Sequence, residues 1–171
     1  KAALFGLVSP NPGLGTIVVS CSNDLQSNAA AVSLYNVDIS GGNSTAFGNV
    51  QHTTDSTTSP IVQTVTGTTT KDKIVDTYIG VSGTAGINQT SWGYNYGGSV
   101  MASYKDGAAT STQMSWTIPP SDYKALAAVA VKSVPGAALT VSGPAVNFAS
   151  NCTVSSGTCT DTGNVLKVTQ S

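Results

Sequence analysis

Apolar positions along the chain fall in short, β-branched runs broken by clusters of Gly, Pro, Asn and Ser, and almost none recur with the period of a helix. The runs predict strands over Thr16–Cys21, Ala31–Ile39, Ile61–Thr66, Lys73–Gly80, Ser91–Tyr96, Ser99–Tyr104 and Thr110–Ile118. Others are expected over Ala127–Val134, Ala138–Ser142, Ala145–Ala149 and Asn164–Thr169. Breaks every roughly eight to twelve residues give the rhythm of a sandwich or barrel. Thr110, Thr112, Met114, Trp116 and Ile118 alternate with small polar residues, so this face is expected to point inward. Tyr123–Ala130 also reads as a helical turn or two, but the strand character that follows favours a corner entering a strand.

The prolines at 119 and 120, followed by Tyr123, resemble the tyrosine corner of immunoglobulin-like and fibronectin-like sandwiches. The fold class expected is all-β: a single-domain antiparallel β-sandwich, immunoglobulin-like, with an apolar N-terminal strand. Residues 1–13 read as that strand and a Pro/Gly connector, and residues 14–171 as the sandwich. Lys1–Val8 is apolar and breaks at Ser9, Pro10 and Gly13, a stiff extended stretch. It reads either as an edge strand and turn, or as a strand that leaves its domain and completes a neighbour's sheet. In the second case Leu4, Phe5, Leu7 and Val8 would be the anchors.

Charge narrows the partners. Only 9% of the 171 residues are charged, against about 25% in an ordinary soluble domain, and Arg and Glu are absent. With 40% apolar residues and a net charge of −1, the chain is expected to fold. Its lysines, at 1, 71, 73, 105, 124, 132 and 167, are too scattered to neutralise phosphates or to form a polybasic patch. Nucleic acid and anionic membranes are therefore not expected partners, and no apolar stretch is long enough for membrane insertion by a helix. Few titratable groups also suit an acidic or variable medium.

Cys21, Cys152 and Cys159 are an odd set, which in an oxidising compartment means one disulfide and one leftover thiol. The pair is Cys152 with Cys159, or Cys21 with one of them. Sequons at Asn43, Asn88 and Asn151 add to the expectation of a secreted glycoprotein, extracellular or at the cell surface, with the chain from Lys1 its mature form.

Candidate chemistry is thin. His52, near Asp55 and Ser56 in a polar stretch read as a loop, lacks the surroundings of a hydrolase nucleophile. With no Glu, a glycosidase pair would fall to Asp72 and Asp76, four apart on one strand face. Ser22–Asp24 and Asn36–Asp38 are only sparse versions of a calcium loop, and one His without paired C-x-x-C spacing argues against zinc. No metal and no cofactor are expected. Trp92, Tyr94 and Tyr96 share one strand face. They read as a packed aromatic cluster or as an exposed platform for sugar rings or a partner.

The apolar N-terminal segment, Pro/Gly connector, Thr/Ser/Asn-rich sandwich, sequons and scarce charge together resemble extracellular pilus or thread subunits assembled by donor-strand exchange. The likeness is one of composition and of residues 1–13, so it assigns no residue a role. It implies a homopolymer held by inserted strands. The expected function is thus a non-catalytic extracellular structural or adhesive protein, a filament subunit whose partners are copies of itself. The alternative is a secreted carbohydrate-binding or effector-like sandwich that engages surface glycans through the aromatic face.

Overall fold

The computed structural model describes residues 4–6, 8, 17–21, 29–80, 83–93, 100–119, 123–148, 158–160 and 166–170. The β-branched runs become strands β1 (Ile17–Cys21), β2 (Ala29–Tyr35), β3 (Gln51–Asp55), β4 (Ile61–Thr68), β5 (Lys73–Ile79), β6 (Thr84–Ala85) and β7 (Thr90–Gly93). They continue as β8 (Val100–Asp106), β9 (Thr110–Thr117), β10 (Lys124–Val131), β11 (Thr140–Phe148), β12 (Thr158–Thr160) and β13 (Leu166–Gln170). One four-residue helix, α1 (Asn43–Ala46), interrupts them.

The protein is an all-β sandwich. A five-stranded sheet in the order β3-β10-β5-β8-β7 packs on a smaller sheet, β4-β9-β6, and both are antiparallel. Between them lie two apolar clusters. Ile61, Tyr78, Met101, Trp116, Ile118 and Leu126 form one, with Tyr78 and Trp116 stacked at 5.4 Å between centroids. Val65, Ile74, Met114, Ala128 and Ala130 form the other. Thr112, Met114, Trp116 and Ile118 point inward as their alternation predicts, while Thr110 is exposed with φ 73° beside an irregularity in the β4–β9 register.

The opposite face of the five-stranded sheet is covered as well. Residues 74–78 of β5 are all buried, because the strand is central and sandwiched on both sides. A third cluster there joins Val75, Val131 and Leu139 to Leu4, Leu34, Val37, Phe47, Trp92 and Tyr104. Leu34 arrives on the β2–β11 pair, where the two strands expected at 138–142 and 145–149 form one strand with a break in register between Ser142 and Val146. Pro144 sits at that break, as expected of a residue that cannot donate to a ladder.

Two expectations change. The stretch holding His52 is not a loop but edge strand β3, paired with β10, since alternating Thr satisfies a half-exposed strand. Tyr123 does not form a buried corner: it stands 71% exposed, one residue ahead of β10. The all-β sandwich stands, while the immunoglobulin-like topology expected with it is not shown. Cys21 and Cys159 lie on strands either side of β13, opposite Gln170 and Val168. Cys152 lies outside the described residues.

Candidate functional site

The site is an apolar seat on the outer face of the five-stranded sheet, and the N-terminal segment occupies it. Leu4 packs against the Val75–Val131–Leu139 cluster beside Phe47, Trp92 and Tyr104. Phe5 points away, 90% exposed, and Gly6 returns so close to Phe47 that a Cβ on residue 6 would stand inside the ring. Val8 is again partly buried. Residues 4–6 and 8 belong to no strand, so the segment rests on the seat through side-chain packing alone, with Gly6 itself exposed where it passes Phe47. Leu7 lies outside the described residues.

The far wall is held by a stitched loop. Asp38 N–H donates to the Lys132 carbonyl, Lys132 N–H to the Ala46 carbonyl and Gly48 N–H to the Ala130 carbonyl, so residues 38–48 follow the end of β10. Within the loop, the Thr45 hydroxyl donates to the Asp38 carbonyl at 3.0 Å and accepts from Gly41 N–H at 2.9 Å. The Asp38 carboxylate accepts from the Ser40 hydroxyl and N–H, which hold its pKa below the usual value. Phe47 emerges where α1 ends and bridges to Val131. Behind it, Asp72 accepts from Lys132 Nζ at 2.6 Å and from Ser133 and Thr69 N–H. Burial opposes the Asp72 charge, but these donors prevail and lower its pKa. Asn36, at φ 63°, gives its side-chain N–H to the Ala138 carbonyl, so the Asn36–Asp38 groups suggested for calcium are engaged in this loop. Ser22–Asp24 lies outside the described residues.

Trp92 forms part of the seat. It sits in the irregularity between Ser91 and Gly93, where β7 leaves register with β8, and is partly buried against the third cluster. Its indole N–H is buried without a hydrogen-bond partner among the described residues. Tyr94 and Tyr96 lie outside the described residues, so of the aromatic triad only Trp92 is placed. Tyr104 closes the side, with Lys73 Nζ 5.8 Å from its ring centre and ion-paired to Asp106.

Two charged groups lie between the sheets. The fully buried Asp76 carboxylate accepts from Ser103 N–H (2.8 Å), Ser103 hydroxyl (2.7 Å), Trp116 Nε1 (3.0 Å) and Gln89 Nε2 (3.3 Å). Burial pushes its pKa up to about 7, against the pull of the Ser103 and Trp116 donors and the Lys105 charge. Gln89 also accepts from Ser115 N–H at 2.8 Å, so one side chain links β5, β8 and β9. Lys124 is fully buried on the inward face of β10, and its ammonium has no hydrogen-bond partner among the described residues. Neither group was legible as buried in the sequence; Asp76 read only as a candidate acid and Lys124 as one scattered cation.

The other sequence candidates stay apart from the seat. His52 is exposed on β3. Asp72 and Asp76 belong to separate networks, one at the end of β10 and one between the sheets, rather than to a shared cleft. Asn43 opens α1 and Asn88 occupies a turn at φ 61°, both exposed, while Asn151 lies outside the described residues. No protein-family model, no curated protein and no solved structure matches the chain.

Proposed function

We propose that the protein is a non-catalytic extracellular structural subunit that joins copies of itself by exchanging the N-terminal segment: residues 4–8 of one copy take the seat on the next. The observation that carries this reading is Leu4 packed on the Val75–Val131–Leu139 cluster and Gly6 lying against the Phe47 ring, with Phe5 turned outward between them. An element that docks on its own domain through a handful of side chains, at the end of a Pro/Gly connector, is suited to exchange between identical copies at little cost. Trp92, partly buried and packed against the third cluster, is read as part of this seat and not as a sugar platform.

Deleting residues 1–9 is expected to abolish filaments in negative-stain electron microscopy and to lower the thermal midpoint. Adding the peptide of residues 1–9 restores the midpoint but not the filaments. An undiminished midpoint with unchanged assembly would refute strand exchange. A finer test is Gly6→Val in the peptide, whose side chain has no room beside Phe47; restoration is expected to fail. Equal rescue by both peptides would show that the segment does not use this seat.

A further inference from the structure

A second feature lies across the molecule and does not depend on strand exchange. Strand β9 is paired along its length with β4, but on its other side β6 reaches only Thr117 and Trp116. Ser115 directs its main chain to that open side, donating to the Gln89 side chain and accepting from Gly86 N–H. Alternation along an antiparallel strand then turns the N–H and C=O groups of Gln113 and Ser111 the same way. No described strand meets them. An edge left open in this manner is a template for unwanted pairing, and proteins cover or charge such edges.

Beside it runs an open groove of about 370 Å³ whose described lining is Asn88, Lys105, Asp106, Ala108, Ser111, Thr112 and Gln113. The floor is polar and fixed: Thr112 Oγ1 accepts from Ala108 N–H at 2.8 Å and lies 3.0 Å from the Thr68 hydroxyl, which donates to the Ala108 carbonyl. A groove of hydroxyls and amides with one cation, Lys105, and one carboxylate, Asp106, suits a sugar better than an apolar side chain. At its rim stands Asn88, exposed at φ 61°, the acceptor of the sequon Asn88-Gln89-Thr90. Thr90 is exposed, and its hydroxyl has no hydrogen bond among the described residues. In the sequon at Asn43, by contrast, the Thr45 hydroxyl is committed to the Asp38 carbonyl and Gly41 N–H.

We infer that Asn88 carries an N-linked glycan whose first sugars lie in this groove and cover the open half of β9. In its attachment, Asn88 Nδ2 forms a bond to C1 of a sugar supplied as a lipid-linked phosphate. The C1–O bond to the carrier breaks, the phosphate leaves with the electron pair, and the amide gives up one proton.

The test uses the full chain made in an N-glycosylating secretory host. Mass spectrometry of its peptides is expected to find a glycan on Asn88. Amide hydrogen exchange over residues 110–114 is expected to be several-fold slower than in the same protein after enzymatic removal of the glycan, and than in Thr90→Ala. Asn43→Gln, which removes the sequon at the exposed Asn43, should leave that exchange unchanged. The enzymatic route keeps the sequence intact, so a misfolded variant does not confuse the result. An unmodified Asn88, or exchange over 110–114 indifferent to the glycan, would overturn the inference.

Discussion

Between pH 8 and pH 4 the protein is expected to gain stability, with the denaturant midpoint rising as the solution is acidified. The cause is Asp76, whose pKa burial pushes up to about 7 from the ordinary 3.8. Above about pH 7 the carboxyl is ionised in both folded and unfolded chains. Between about pH 4 and 7 only the folded chain keeps the proton, and below that range both do. The folded state binds more protons across the interval, so unfolding becomes harder as pH falls, by at most ~1.4 kcal/mol per unit and about 4 kcal/mol in total. The other charged group facing this site is Lys105, whose pKa burial lowers while Asp76 raises it. Asp38, Asp55 and Asp72 work in the opposite sense, since hydrogen bonds and, for Asp72, Lys132 lower their pKa values. Their contribution is present above about pH 4 and lost as pH falls below it, which puts the optimum near pH 4. Chemical denaturation followed by Trp fluorescence at pH 4.5, 6 and 8 measures the slope. Asp76→Asn should flatten it; a slope that survives this substitution would place the titrating group elsewhere.

The second large effect is expected at Lys124. A buried ammonium with no partner among the described residues forfeits its hydration without an ion pair in return. Lys124→Met keeps the length of the side chain, removes the charge and adds to the cluster of Ile61, Ile118 and Leu126 on the same inward face. Replacing buried charge by a well-packed apolar group of similar volume stabilises by about 1–4 kcal/mol, which at this size raises the melting temperature by roughly 2–4 °C per kcal/mol. Calorimetry of the two chains compares them directly. A lower melting temperature for Lys124→Met would mean that the ammonium has a partner worth keeping. Asp55, opposite Lys124 in the β3–β10 register, is not that partner: its carboxylate is turned to Thr57 and Thr58.

Local pattern determined much of this protein. Alternating large and small residues placed Met114, Trp116 and Ile118 inside, because a strand turns successive side chains to opposite faces whatever its neighbours are. Val129 and Val131 after the Tyr123–Ala130 stretch marked a strand rather than a helix, and β10 is one. The apolar N-terminal segment and its Pro/Gly connector stood out for the same reason, being composition that the rest of the chain does not share. What the sequence could not contain was which distant residues meet. His52 read as a loop because Thr, Ser and Asp mark turns, yet pairing with β10 makes the stretch a strand. Asp76 and Lys124 carried no sign of burial, since their positions relative to the second sheet depend on pairings up to forty residues away, such as Asp76 with Trp116. Trp92 lay open between platform and core until the fold packed it, with Leu4, Phe47 and Tyr104 from separate stretches of chain, against Val75, Val131 and Leu139. Period and propensity are local and survive in the sequence; burial and partnership are set by sheet order and register, which exist only once the chain has folded.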